Sequence, residues 1–184
     1  PEEAPFHDPF LMAGMEIAAA RILDAIERHV PIVVYGDYDV DGMTSTTLLT
    51  KNIRALGGDV SYYIPNRFTE GYGINLPALR QIHEEGCALL VTVDCGIASV
   101  EAVAEMRGVL DIIVTDHHLP GAELPPALAV LNPHRVDCPY PEKELAGVGV
   151  AFKLCQALWQ RRAQRLYEGD LDIAALGTVA DLVP

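Results

Sequence analysis

The sequence lacks any long apolar run. No stretch approaches the roughly 20 apolar residues that a membrane-spanning helix needs. The first ten residues, PEEAPFHDPF, contain neither the basic cluster nor the apolar block of a secretion signal. We therefore expect a soluble cytoplasmic protein with no membrane partner.

Cysteine is scarce, and its spacing fits neither metal binding nor disulfide chemistry. The four cysteines, Cys87, Cys95, Cys138 and Cys155, include no CxxC pair. This spacing argues against a zinc ribbon and against a disulfide framework. We expect reduced thiols in the core.

Positively charged residues are outnumbered by acidic ones, and glycine-rich nucleotide motifs are missing. The chain has no GxGxxG and no Walker lysine after its first strand, which argues against a Rossmann-like or P-loop nucleotide binder. The formal net charge of −13 argues against a protein that grips long nucleic acid by charge alone. Bound divalent cations would cancel carboxylate charge locally, and a fragment can lack the basic parts of its parent.

What is present is a regular alternation of β-branched runs with helical periodicity. The predicted strands are Ile32 to Tyr35, Val60 to Ile64, Ala88 to Val93, Asp111 to Thr115 and Leu128 to Asn132. The helices predicted between the first four are Met43 to Leu56, Pro77 to Glu85 and Ser99 to Arg107. This alternation predicts an α/β fold with a mainly parallel five-stranded sheet. Because the runs are apolar throughout, we expect helices on both faces.

Two further helical regions flank this core. Asp8-Pro9, a cap followed by proline, and apolar residues at helical spacing predict an N-terminal helix over 9–29. A proline-rich loop after the α/β core (32–132) leads to a helical segment over 148–184. The length fits one domain better than two.

Acidic and imidazole side chains follow three of the predicted strands. Asp37, Asp39 and Asp41 follow the first strand, Asp94 follows the third, and Asp116-His117-His118 follows the fourth. Ligands of an open parallel sheet bind at the carboxyl ends of its strands, so these groups meet at one edge. Any one cluster alone could be an ordinary turn, since Asp and Gly favour turns. Their joint occurrence favours a functional site.

So many carboxylates at one edge would repel one another unless a cation neutralised them. Asp and His ligands without a Cys cluster suit Mn²⁺ or Mg²⁺ better than zinc. Two such ions could activate water and clamp both oxygens of an in-line phosphoryl displacement. The implied reaction is phosphoester hydrolysis.

Candidate substrate contacts lie in two loops. Gly42, Thr44 and Ser45 open the helix after the first cluster, which predicts either a phosphate site or simple capping. Arg67 could pair with a phosphate and Tyr72 could stack on a base, although a solvated loop is the alternative. We expect the remaining histidines, His7, His29, His83 and His134, to be surface or core residues.

The Asp116-His117-His118 triplet gives the chain a specific resemblance to the DHH phosphoesterases. Asp39-Val40-Asp41 and Asp94 resemble the first two motifs of that family. GDYDVDGMTSTTLL, NRFTEGYGIN, TDHHLPG, LNPHR and LGTVADLVP resemble its branch of single-stranded-DNA exonucleases. The resemblance covers about Ile32 to Pro184.

The resemblance implies a pair of Mn²⁺ or Mg²⁺ ions, with Asp39 on one ion and Asp94 bridging. Asp41, His117 and Asp181 would hold the other ion, and His118 would lie beside the scissile phosphate. The implied catalytic set is Asp37, Asp39, Asp41, Asp94, His117, His118 and Asp181. Arg67 gains support as a phosphate contact in the same way.

The resemblance also implies hydrolysis of single-stranded DNA from its 5′ end in repair and recombination, with a helicase and a single-strand-binding protein as partners. A small-substrate phosphodiesterase and a silent scaffold are the alternatives. The family's pyrophosphatases carry histidine where this chain has Tyr35, which predicts a thinner shell around the first ion. The exonucleases continue into a second nucleic-acid-binding domain, so we expect a catalytic-core fragment.

Overall fold

The computed structural model describes residues 6–66, 68–71 and 73–183. Its strands are β1 (Ile32–Gly36), β2 (Val60–Tyr63), β3 (Leu89–Val93), β4 (Asp111–Thr115) and β5 (Ala129–Leu131). Its α-helices are α1 (Met15–Glu27), α2 (Val40–Ala55), α3 (Leu76–Glu84), α4 (Val100–Glu105), α5 (Gly147–Ala163) and α6 (Leu171–Ala180). None of the helices in these ranges is long and apolar enough to cross a membrane.

The strands form one parallel sheet in the order β2-β1-β3-β4-β5, which confirms the predicted α/β architecture. The chain crosses from β1 to one side to form β2 and then returns past β1 to form β3. The strand order therefore reverses between β1 and β3. Such a switch point leaves a crevice beyond the carboxyl ends of the two strands, because the connecting loops diverge there.

Alternating side chains of the strands supply two apolar layers. Val34 and Val91 face one core, which packs against α1, α2 and α5. Tyr35 and Leu90 face a second core, which packs against α3 and α4. Both faces of the central strands are thus covered, as the apolar runs predicted. The edge strand β2 differs, because Ser61 and Tyr62 are exposed.

The predicted N-terminal helix over 9–29 is wrong in its first part. Asp8 caps only a short 3₁₀ turn, Pro9–Leu11, and α1 begins six residues after Pro9. Gly14 separates them with a φ of 85°. A Cβ at Gly14 would lie 3.0 Å from the carbonyl oxygen of Val130, so the break brings the backbone against β5.

The helical segment predicted over 148–184 is also interrupted. Helix α5 ends at Ala163, and α6 begins at Leu171. Tyr167 lies in the connection, and its side chain is buried in the core. The Nδ2 atom of Asn52 in α2 donates to the Tyr167 hydroxyl at 3.0 Å. The chain reverses direction around the buried Tyr167 side chain, and α6 packs across α2.

Candidate metal centre

The carboxyl ends of β1, β3 and β4 bring the predicted acidic and imidazole groups together at the switch point. Three sets of side chains each offer ligand atoms within 4.8 Å of one another. The sets are Asp37, Asp39 and Asp94; Asp41, His117 and Asp181; and Asp94, His117 and His118. All seven residues predicted as catalytic from the sequence belong to at least one set.

Asp94 lies between the other groups and is held there by the backbone. Its φ of 58° is in the left-handed region that non-glycine residues rarely adopt, and its side chain is 2% exposed. Its Oδ1 atom has no hydrogen-bond partner among the described residues. A strained backbone that places a buried, unsatisfied carboxylate in a crevice is typical of a functional site.

The surroundings of Asp94 oppose its ionisation. The pKa of Asp94 is raised to about 10. Burial is the largest cause, and the nearby charges of Asp41 and Asp39 add to it. Burial also raises the pKa of Asp37. Within the described ranges, no Lys or Arg forms an ion pair with any of these four aspartates. The described part of the site therefore contains no Lys or Arg that balances its negative charge.

Asp41 is held by the amino end of α5. The backbone N–H of Gly147 donates to its Oδ2 at 2.6 Å, and the N–H of Val148 donates to its Oδ1 at 2.8 Å. A helix N-terminus stabilises an anion in this position. These two bonds lower the pKa of Asp41, but burial outweighs them and raises it overall.

His117 directs its Nε2 atom into the carboxylates. Nε2 lies 3.2 Å from Asp94 Oδ1 and 3.7 Å from both Asp41 Oδ2 and Asp181 Oδ2. It nevertheless has no hydrogen-bond partner in the described part of the chain. Asp181 lies at the carboxyl end of α6, where its side chain is 27% exposed. An imidazole nitrogen and two or three carboxylate oxygens that converge without bonding one another form a suitable ligand set for a divalent cation.

Asp116 orients the two histidines that follow it. Its Oδ1 accepts hydrogen bonds from the backbone N–H of His117 at 2.7 Å and from the His118 ring Nδ1 at 2.8 Å. Its Oδ2 accepts from the N–H of Ile97 at 2.8 Å. The hydrogen bond that His118 donates to Asp116 raises the pKa of His118. The first residue of the triplet is thus a positioning group, a role that the sequence analysis did not assign.

Two residues after β5 also hold the triplet, and the sequence analysis missed both. Asn132 Nδ2 donates to the carbonyl oxygen of His118 at 2.8 Å. His134 Nδ1 lies 2.7 Å from the carbonyl oxygen of His117 and donates to it. The sequence analysis predicts only a surface or core position for His134. The strand-end rule finds both residues if it is extended to β5, because Asn132 and His134 lie within three residues of the end of that strand.

The residues predicted to contact substrate in the first turn of α2 make hydrogen bonds within that helix. Gly42 N donates to Asp39 Oδ1 at 2.8 Å, so Asp39 caps α2. Thr44 and Ser45 are buried, and the Thr44 hydroxyl donates to the carbonyl oxygen of Val40 at 2.8 Å. These contacts fit the capping alternative better than a phosphate site. The contacts predicted for Arg67 and Tyr72 lie outside the described residues.

Tyr35, which stands where the pyrophosphatases have histidine, turns away from the carboxylates. Its ring stacks on Tyr63 at 5.2 Å, and its hydroxyl donates to the carbonyl oxygen of Gly73 at 3.1 Å. Burial raises its pKa. Tyr35 therefore offers no ligand atom to the group formed by Asp37, Asp39 and Asp94.

Comparison with known proteins decides the family. The model of the DHH family, N-terminal domain, matches residues 31–178. The chain belongs to the DHH family. Within it, the chain is 52% identical over 185 residues to the single-stranded-DNA-specific exonuclease RecJ of Bacillus subtilis strain 168. It is 44% identical over 186 residues to RecJ of Escherichia coli strain K12.

The matches cover this DHH chain almost completely but the relatives only in part. They include 100% and 94% of the chain, against 23% of the Bacillus protein and 32% of the Escherichia protein. A crystal structure of exonuclease RecJ bound to manganese superposes with a TM-score of 0.86 at 38% identity. That match covers 98% of this chain and 46% of the other.

Proposed function

We propose that this DHH chain hydrolyses phosphodiester bonds of single-stranded DNA from the 5′ end in a metal-dependent reaction. One observation carries the proposal: unpaired ligand atoms of Asp94 and His117 converge with the carboxylates of Asp41 and Asp181 in a buried crevice. The names of the similar proteins, single-stranded-DNA-specific exonucleases, support the substrate. The proposed 5′ polarity rests on the resemblance of the sequence motifs.

The donor set fits a pair of Mn²⁺ or Mg²⁺ ions. Asp37, Asp39 and Asp94 would hold one ion, and Asp41, His117 and Asp181 the other, with Asp94 able to serve both. Bound ions would supply positive charge that polarises a phosphoryl oxygen and lowers the pKa of water.

The protein's own groups orient the ligand side chains and determine where His118 carries its protons. The α5 amides fix the orientation of the Asp41 carboxylate. Asp116 accepts a hydrogen bond from the Nδ1–H of His118. This bond fixes the tautomer of the neutral ring and leaves Nε2 as the second site of protonation. A protonated His118 beside the crevice can donate a hydrogen bond to a phosphate oxygen or a proton to the leaving oxygen.

A digestion assay tests the proposal. Single-stranded DNA labelled at either end, a matching duplex and a dinucleotide would be incubated with Mn²⁺, Mg²⁺ or EDTA. We expect metal-dependent release of mononucleotides from the 5′ end of the single strand. Asp94→Asn should abolish it, and the matched exposed variant Glu105→Gln should not. Cleavage of the dinucleotide alone would favour a small-substrate phosphodiesterase, and the absence of all cleavage would favour a silent scaffold.

We also propose that the protein acts in the cytoplasm on strands that a helicase separates and a single-strand-binding protein covers. The support is chemical: an enzyme that accepts only unpaired strands needs a source of them. Addition of a helicase and ATP to a duplex should then start its degradation. A duplex that resists degradation under those conditions would contradict the partnership.

A further inference from the structure

A cavity of about 580 Å³ adjoins the metal centre on the side of His118. Asp116 and His118 form one end of it, and the loop that leads into α4 forms the other. Its volume falls within the roughly 300–1,000 Å³ that small-molecule sites usually occupy. A group seated in this cavity would therefore lie directly beside the atoms that the proposed function assigns to phosphate chemistry.

The lining of the cavity suits an uncharged flat group. Ile74 and Ile97 contribute apolar surface and are only 8% and 3% exposed. Gly73 leaves the wall open, because a Cβ there would meet only the Ser99 hydroxyl, at 3.9 Å. Apolar walls with a few polar groups are the usual surroundings of a heteroaromatic ring.

The polar groups at the α4 end of the cavity, away from His118, suit hydrogen-bond donors better than a phosphate. The Ser99 side chain makes no capping bond to α4, so its hydroxyl can contact a ligand. Glu101 is exposed at the rim and can accept a hydrogen bond from an amino group or a sugar hydroxyl. Of the described residues that line the cavity, none is Lys or Arg. A phosphate at the α4 end would meet the carboxylate of Glu101 with no Lys or Arg of the described lining beside it.

We propose that this cavity binds the sugar and base of the nucleotide next to the scissile phosphate. The proposal rests on the proposed function and extends it to the basis of single-strand selectivity. A base can enter the cavity only if it is unpaired and unstacked, whereas a base in a duplex is stacked between its neighbours and hydrogen-bonded to its partner. The cavity therefore admits single strands and excludes duplex ends.

The test fills the cavity without touching the metal centre. Ala98 is exposed at the cavity wall, so Ala98→Phe inserts a ring where the base would lie. Ala104 is exposed on α4 but lies outside the cavity, so Ala104→Phe is the matched control. Each protein would be assayed with Mn²⁺ on a single-stranded trinucleotide, and its affinity for Mn²⁺ would be measured separately without substrate.

We expect Ala98→Phe to raise the KM for the trinucleotide at least tenfold and to leave the affinity for Mn²⁺ unchanged. Ala104→Phe should match the unmodified protein in both measurements. An unchanged trinucleotide KM in folded Ala98→Phe would overturn the proposal. A loss of Mn²⁺ affinity together with the rise in KM would overturn it too, because the ring would then act on the metal centre.

A second measurement separates this proposal from the proposed function. Deoxyadenosine would be titrated into the protein in EDTA, with the backbone amide resonances of Gly96 and Ser99 as the readout. Saturable shifts that Ala98→Phe removes would support the cavity as a nucleoside site even if no substrate were hydrolysed. The absence of shifts at millimolar nucleoside would overturn it even if DNA were degraded.

Discussion

The N–H of Gly147 donates to Asp41 Oδ2 at 2.6 Å, although the two residues are 106 positions apart in the sequence. This bond joins the first turn of α5 to the first turn of α2. The close approach depends on glycine, because a Cβ at position 147 would lie 2.7 Å from both Cβ and Oδ1 of Asp94. One glycine thus allows α5 to contact Asp41 and Asp94 at once.

Gly147→Ala should therefore displace the side chain of Asp94. We expect a loss of at least tenfold in hydrolysis and a fall in the free energy of unfolding of about 1–3 kcal/mol, the usual cost of overpacking. The matched control is Gly149→Ala in the same helix, where a Cβ would meet the Leu145 side chain at 3.2 Å. Chemical denaturation and the nuclease assay measure both effects. Equal behaviour of the two variants would contradict the steric argument.

Divalent metal should stabilise the fold through the crevice. A ligand at 100 times its dissociation constant adds about 2.7 kcal/mol to the free energy of unfolding. We expect Mn²⁺ to raise the melting temperature of the unmodified protein and of Glu105→Gln, but not that of Asp94→Asn. Thermal denaturation with Mn²⁺ or EDTA measures the difference. A similar Mn²⁺ response in Asp94→Asn would place the metal elsewhere.

Without metal, Asp94→Asn should melt at a higher temperature than the unmodified protein. Burial and the charges of Asp41 and Asp39 oppose ionisation of Asp94, so the native state carries a group whose charged form is disfavoured. A neutral amide removes that cost without creating a cavity. Melting in EDTA at pH 8 tests this, and a clear fall in melting temperature would show that the carboxylate stabilises the fold.

The sheet and the strand-end groups could be predicted because both follow from local pattern. Apolar runs set the strands, and the parallel topology brings Asp37, Asp94 and His117 to one edge whatever the details of packing. The break near Gly14 could not be predicted in this way. It depends on contact with Val130, which is distant in sequence, and the residues on either side keep their helical spacing.

Asp181 shows the same limit within the site. A single aspartate near the end of a helical run has no local signal, and only resemblance to a family singled it out. Its approach to His117 depends on α6 crossing α2, which in turn depends on the turn anchored by Tyr167. Contacts of this kind depend on tertiary packing and leave no periodic trace in the sequence.

His134 should support metal binding although it lies outside the ligand set. Its ring holds the carbonyl oxygen of His117, and loss of a residue that orients a ligand typically weakens metal affinity about 10–100-fold. We expect His134→Ala to weaken Mn²⁺ binding by this factor, measured by electron paramagnetic resonance of free Mn²⁺. His83→Ala, which removes a ring near the carbonyl of Cys87, is the matched control. Unchanged Mn²⁺ affinity in His134→Ala would refute the positioning role.

Lys153 should give the fold a distinct pH dependence. Its side chain is buried in α5, with Nζ donating to Gln156 Oε1 at 2.8 Å, and burial lowers its pKa from 10.5 to about 8. Between pH 8 and 10.5 the unfolded chain binds a proton at Lys153 that the folded protein does not, so stability rises with pH in this window.

Lys153→Met removes the titrating group and provides the reference. The free energy of unfolding of the unmodified protein minus that of Lys153→Met should increase from pH 8 to pH 10.5, by on the order of 3 kcal/mol if the whole shift is expressed. Other groups that titrate in this range are common to both proteins and cancel in the difference. Urea denaturation at pH 7, 8, 9 and 10 measures it. A difference that stays flat or falls with pH would mean that Lys153 keeps its proton in the folded state.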